Sequence, residues 1–412
     1  MTPNTPSPKV CLFFQAHQPF RTLKYDFFQI GSDSEYFDQK RNQQILDRVC
    51  DRSYLPALDL FEELYEQSAG NFTVGLGLSG CLIKQLEAWR PDVLERFKAV
   101  VAKGVVHLTG GLMSHSIASF FSAQEVARQI QNHRKLLLEH FNVRPTTFAN
   151  TELIYRDDMV PTIKSFGYDT ILAEGVPRYL GHRSPDFLYH TEGDSEVNLL
   201  LRNGSLSDDL GFRFADHTWS EHPLTSQKFL SWIESQPFPL RNIFLDLETI
   251  GEHQLADSGI FEFWHHFIKE GLEQGVTFHS PDQIVGQLFA GEPYSSPKHS
   301  SWADEEKNKS TWQENVMQQE ASQKLFRLQQ IVESSNCPVL FENWTNLQSA
   351  DHFLHMSTKG GATGEAHDRF RAHSDPYDAY SYFMNILADL QIRAKIKMAQ
   401  HLLKDSAQLL NL

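Results

Sequence analysis

The chain is short of cysteine, of positive charge and of long apolar runs, and each shortage removes a class of function. Cys11, Cys50, Cys81 and Cys337 are its only cysteines in 412 residues, with no paired short spacing. Neither a zinc cage nor the disulfide framework of a secreted domain fits that pattern, so buried, reduced thiols are expected. Lys plus Arg number 37 against 52 Asp plus Glu, a formal net charge of -15. A surface of that sign repels phosphate backbones and anionic lipid, which argues against nucleic acid or a membrane as partner. No stretch has the roughly eighteen consecutive apolar residues of a membrane span. The polar start, Met1 to Lys9, lacks the apolar core of a secretory signal, and a cytoplasmic location is expected. Histidine is plentiful, at 19, but His-Glu-x-x-His is missing and His17, His107 and His115 show no ligand spacing. No metal or cofactor is expected.

What is present is enough apolar residue, 41%, to bury a large core in one barrel-sized domain with a smaller companion. Val10–Ala16, Phe72–Leu78, Val105–Thr109, Thr147–Asn150, Thr170–Ala173, Glu196–Arg202 and Asn242–Glu248 read as strands, separated in several places by amphipathic segments. That alternation predicts a parallel sheet with helices outside. Ser122 to Glu125 has capping-box spacing and opens a helix carrying Val126, Ile130, Leu137 and Phe141. A second helix is predicted over Gln85–Lys103, broken early by Arg90-Pro91. After about Pro293 the character changes: Ser295–Ser301 reads as a loop, and Lys309–Ser335 and Asp378–Lys404 as long helices. The expected organisation is a barrel over 1–293 and a helical region over 294–412.

Two strand ends carry the candidate chemistry. Phe148–Tyr155 places Glu152, and Phe244–Gln254 places Asp246 and Glu248, where a strand gives way to a loop. Two opposed carboxylates are the minimum equipment for cleaving a glycosidic bond. From its octapeptide alone, Glu152 behind Asn150 and Thr151 reads slightly better as an acid in a helix's first turn. A barrel reverses that preference, because catalytic groups sit at the carboxyl ends of barrel strands. Asp246 and Glu248, two apart, are expected on one face of a strand, where mutual repulsion would lift one pKa. His17-Gln18-Pro19 ends the first strand and offers hydrogen bonds to a sugar hydroxyl. Trp219, Trp302, Trp312 and Trp344 offer stacking faces, although each taken singly fits packing as well.

In this order along the chain the motifs resemble the α-amylase-type members of glycoside hydrolase family 57. Phe14-Gln15-Ala16-His17-Gln18-Pro19 is similar to the family's first signature. Asn150-Thr151-Glu152-Leu153-Ile154-Tyr155 is similar to the region of its nucleophile, and Asp246-Leu247-Glu248-Thr249 with Gly251-Glu252-His253 to the region of its general acid. Leu206-Ser207-Asp208-Asp209, Trp302-Ala303-Asp304-Glu305 and Gln348 to Phe353 add support. The resemblance implies an incomplete (β/α)7 TIM-like barrel followed by a C-terminal α-helical bundle, acting with retention on α-1,4-glucan or maltooligosaccharides without a metal. It makes Glu152 the nucleophile and Asp246 the acid/base. His17, Gln18, His115, Asp209 and Glu248 become substrate-binding candidates, as do His253, Trp302, Asp351 and His352. Retention requires the two carboxyls roughly 5–5.5 Å apart.

The second signature departs from the family. Gly111 stands where a Glu is common, and Met113-Ser114 where aromatics are common, which bears on how a sugar is held and not on the catalytic pair. A 4-α-glucanotransferase or a branching enzyme would use the same two carboxylates. An inactive glucan-binding protein and a metal-dependent deacetylase on a related barrel are the rivals from other classes.

Overall fold

A computed structural model describes residues 8–359, 371–373 and 375–409. The polar start Met1–Ser7 lies outside them. The contacts group the chain into two units: Met1–Gln18, Leu46–Met113 and Ala123–Asn308 form the first, and Pro19–Ile45, Ser114–Ser122 and Lys309–Leu412 the second. Where one crossing near residue 293 was expected, the second unit also draws on two earlier segments. Ser116 bridges Ser349 within it, and Gly31 N–H donates to Asp389 at 2.6 Å.

The first unit is a curled sheet of seven parallel strands: β1 Lys9–Ala16, β2 Val74–Leu78, β3 Val106–Leu108, β4 Thr147–Ala149, β5 Thr170–Glu174, β6 Asp194–Arg202 and β7 Leu240–Asp246. One ladder runs β7–β1–β2–β3 and another β4–β5–β6, all parallel. A single bridge, Gly110 to Phe148, joins β3 to β4. Between β6 and β7 side chains stand in for a ladder: Asn242 Nδ2 donates to Leu201 O at 2.9 Å and Arg202 Nε to Phe244 O at 2.9 Å. This is an incomplete (β/α)7 TIM-like barrel, as expected. A short strand β8, Thr277–His279, adds to the start of β1.

Both faces of β1 are buried, which is why it reads as an unbroken apolar run. Cys11 and Phe13 face inward and share one core with Ala149, Leu172, Leu200, Leu240 and Phe244. Phe14 faces outward, 5.2 Å from Phe61 and 5.5 Å from Trp264 between ring centroids. The helix Ile260–Glu273 presents Ile260, Phe263, Trp264, Phe267, Ile268 and Gly271 to that outer layer, a spacing that keeps one face apolar. Each large side chain so buried contributes about 1.5–3 kcal/mol. The expected helix over Gln85–Lys103 is two helices, Gly80–Trp89 and Pro91–Lys103, broken at Arg90. The strand Leu188–Thr191, antiparallel to β6, was not expected.

The second unit is largely helical, with Val316–Arg327, Pro338–Asn346 and the 34-residue Pro376–Leu409 as its main elements. Trp344 is fully buried and its indole N–H donates to Leu325 O at 2.8 Å, so its role is packing. Among the described residues no helix is long and apolar enough to cross a membrane. Cys11, Cys50 and Cys81 are buried free thiols, and Cys337 is half-buried.

Candidate active site

β4 ends at Ala149, and after Asn150 the residues Thr151–Leu153 form a single tight turn rather than the start of a longer helix. Glu152 and Leu153 both take left-handed backbone angles, φ 52° and 50°. For non-glycine residues that conformation costs on the order of 1–3 kcal/mol each and persists where the surroundings fix it. The surroundings do so here. Asn150 Nδ2 donates to Ile154 O at 2.8 Å, closing the turn from inside. The segment 300–302 runs antiparallel beside it, with Tyr155 and Ser300 exchanging backbone hydrogen bonds of 3.0 and 2.9 Å and Trp302 N–H donating to Glu152 O at 3.1 Å. Ser295–Ser301, which reads as a linker loop, is therefore a strap on the turn that bears Glu152.

The strap delivers a side chain as well. Trp302 Nε1–H donates to Glu152 Oε2 at 2.7 Å. A hydrogen bond given to a carboxylate stabilises its ionised form. The Arg202 guanidinium lies 5.5 Å from the Trp302 ring centroid, and the same guanidinium donates to Phe244 O, two residues before Asp246. One chain of contacts thus runs from Glu152 through Trp302 and Arg202 to β7.

Asp246 ends β7 opposite Gln15 of β1. It continues the alternation of Leu240 and Phe244, both in the inner core, so it belongs to the inward-facing set at the carboxyl end of its strand. Gln15 Nε2 donates to Gly77 O at 3.2 Å, and a Cβ on Gly77 would stand 2.4 Å from Gln15 Oε1. Glycine there makes the space Gln15 occupies beside Asp246.

Glu248 corrects one expectation. The strand stops at Asp246, and Leu247–Thr249 is a 3-10 turn, so the two carboxylates do not share a strand face. Glu248 is 4% exposed. Its Oε1 accepts from Tyr54 Oη at 2.5 Å, Gln18 Nε2 at 3.2 Å and His17 N–H at 3.3 Å. Burial pushes its pKa up to about 7, against the pull of those donors. His17 in turn holds Ser79 Oγ at 2.8 Å through Nδ1, and His253 N–H donates to Glu248 O at 2.8 Å. Gly251 shapes this turn: at φ 99° a Cβ would lie 2.0 Å from Arg52 O.

The raised pKa makes a prediction. Between an unfolded value near 4.5 and the folded value of about 7, the folded chain keeps a proton the unfolded chain has released. Stability therefore falls as pH rises across that window and levels off above it. Glu248→Gln is expected to flatten this limb by about 3 kcal/mol. Urea unfolding of both proteins at about pH 5 and about pH 8 measures it, and parallel losses in the two would refute it.

The other sequence-predicted residues divide by unit. Asp209 is paired with Arg213 at 2.6 Å in the first. His115, Asp351 and His352 lie together in the second: His115 O accepts from Ala350 N–H at 2.9 Å, and Ser349 Oγ donates to Asp351 Oδ2 at 2.8 Å. Burial lowers the pKa of His352 to about 4, so it is neutral. Sequence reading missed Arg202, Tyr54 and His133. Buried His133 accepts from Gly111 N–H at 3.1 Å and donates to Leu78 O at 2.7 Å, tying down the turn where the family pattern is broken. A Cβ on Gly110 would meet Tyr168 Oη at 2.0 Å, and one on Gly111 would stand 3.1 Å from Ala149 O. Among the described residues no group of three His, Cys, Asp or Glu is arranged to hold a metal ion.

Residues 11–296 match the sequence profile of glycosyl hydrolase family 57. Over 401 residues the chain is 32% identical to a protein of Methanocaldococcus jannaschii named as an alpha-amylase candidate, covering 94% of this chain and 85% of that one. The fold is similar to a GH57 branching enzyme of Thermococcus kodakaraensis, with TM-score 0.66 at 13% identity over 88% of each chain. It is also similar to a 4-alpha-glucanotransferase of Thermococcus litoralis, with TM-score 0.62 at 12% identity, over 88% of this chain and 60% of that longer one.

Proposed function

Because the chain belongs to glycosyl hydrolase family 57, we propose that it cleaves α-1,4-glucan or maltooligosaccharides by double displacement, with Glu152 as nucleophile and Asp246 as acid/base. The observation that carries this reading is the setting of Glu152. Its carboxylate stands on a strained turn at a strand end and accepts the Trp302 indole N–H, a partner that favours the charged, nucleophilic form without neutralising it. In the first step a Glu152 oxygen bonds to the anomeric carbon as the glycosidic C–O bond breaks, and the Asp246 proton passes to the leaving oxygen. In the second, Asp246 takes a proton from water, the water oxygen bonds to the anomeric carbon, and the Glu152 carboxylate departs.

His17, Gln18, Glu248 and His253 form one hydrogen-bonded group beside Asp246 and are suited to hold sugar hydroxyls. Trp302 is better placed to orient Glu152 than to stack on a sugar, since its indole N–H is committed and Arg202 lies 5.5 Å from its ring centroid. His115, Asp351 and His352 remain substrate-binding candidates through the family resemblance. Buried free thiols fit a cytoplasmic setting.

Transfer to a second sugar hydroxyl instead of water would use the same two carboxylates. The product profile on maltopentaose separates the two outcomes. Shorter products alone, released first as the α-anomer by proton NMR, are expected. Products longer than the substrate would make the enzyme a transferase, and a β-anomer released first would overturn retention.

A further inference from the structure

Beside the site lies a cavity of about 970 Å³, bounded by the loops that follow β5 and β6 and by the segment 213–238. It is at the upper end of ligand pockets, roughly 300–1,000 Å³, and has room for more than one sugar ring. Its charges have partners: Arg183, Arg241 and Lys307 lie 3.9, 3.8 and 3.9 Å from Glu292, Asp186 and Asp208, and the rest are closer. Glu174 and Asp208 pair with Arg202 at 3.2 and 2.5 Å, Asp209 with Arg213 at 2.6 Å, and Glu221 with Lys228 at 2.7 Å. Asp186 accepts from Asn203 Nδ2 at 2.9 Å. An ionic ligand would find no bare counter-charge among these groups.

What the cavity offers instead is planar polar groups held in place, plus indole. Trp219 and Trp232 both line it, half-buried, in an edge-to-face pair with centroids 6.2 Å apart. Among the described residues neither indole N–H has a protein partner. Aromatic surface combined with fixed carboxylate and guanidinium planes suits a neutral polyhydroxylated chain. The cavity is also tied to the reaction site. Lys307, which lines it, donates to Trp302 O at 2.8 Å, and Trp302 holds Glu152.

We propose that this cavity binds a second segment of α-glucan, so that the enzyme grips a long chain at two places while cleaving at one. The proposal rests on the α-glucan reading above, and a polymer is the substrate that can occupy both positions.

Trp219→Ala tests it, since Trp219 sits on a loop and its loss leaves the inner core intact. Relative to wild type, kcat/KM on glycogen is expected to fall about tenfold, and on maltotriose to stay within about twofold. Equal losses on both substrates, or none on either, would overturn the proposal. Electrophoresis through a glycogen-containing gel gives a readout independent of turnover. Wild type should be retarded and Trp219→Ala much less so. If wild type cleaves neither substrate, the α-glucan cleavage reading fails alone, and the gel still decides: retardation lost in the variant supports the cavity, while equal or absent retardation overturns it.

Discussion

Glu152→Gln is expected to lower kcat on maltopentaose on the order of 10⁴–10⁶-fold, the loss that follows removal of a nucleophile acting within a catalytic unit. The amide keeps the shape of the turn and can still accept the Trp302 N–H through its oxygen, so the fold should survive. Asp246→Asn should cost less, about 10²–10⁴-fold, because general acid–base assistance is a smaller share of the barrier. Stereochemistry then assigns the roles. With an activated α-maltosyl fluoride and added azide, Glu152→Ala should yield the β-glycosyl azide, since azide attacks directly from the vacated face. Asp246→Ala should yield the α-glycosyl azide, since the glycosyl-enzyme still forms and is displaced a second time. The reverse pair of products would exchange the two assignments. Trp302→Phe belongs in the same series: it keeps the ring and removes the N–H, and a loss well below that of Glu152→Gln with little change in KM would mark an orienting role.

The second large effect concerns stability. Arg202 is 4% exposed and Glu174 1%, and they are joined at 3.2 Å. Arg202→Met is expected to destabilise the protein by about 3–5 kcal/mol, because it leaves a carboxylate buried without its cation. Burial already raises the pKa of Glu174, and Arg202 opposes that rise. Without Arg202 the folded pKa goes higher still, so the folded state keeps its proton over a wider range and loses stability as pH rises through that range. The defect should therefore be larger at about pH 8 than at about pH 5 in urea unfolding, and Glu174→Gln added to Arg202→Met should recover part of it. A loss under about 1 kcal/mol, or one indifferent to pH, would show that the pair is not held as tightly as its burial implies.

These sites differ in how far the sequence announces them. The central strands are the most legible, because burial on both faces makes β1 a plain apolar run, and Val10–Ala16 differs from the observed strand by a single residue. The boundary at Asp246 is not legible. Leu-Glu-Thr continues a strand-like pattern, and the chain turns because Gly251 must fit against Arg52, about two hundred residues away in sequence. The turn at Glu152 misleads for the same reason: Asn-Thr-Glu is good helix-capping sequence, and the strap at 300–302, together with the Asn150 side chain, holds the left-handed alternative. Arg202 sits at the end of a predicted strand, where it would be marked as an inward charge if the pairing of β6 were known. The hairpin strand Leu188–Thr191 did leave a signal, the Glu192-Gly193 turn with Gly193 at φ 82°. Packing of the second unit gave no residue-level signal for its share of Pro19–Ile45.

The bond from Trp302 to Glu152 spans 150 residues, and those on Glu248 span 194 to 231. A nascent chain that has just emerged past both carboxylates therefore holds the two proposed catalytic groups and still lacks the residue that sets one of them. Contacts so distant along the chain are late to close. On the ribosome, the site would become competent only after Trp302 has emerged, and its own surroundings would be spared a half-built catalyst until then.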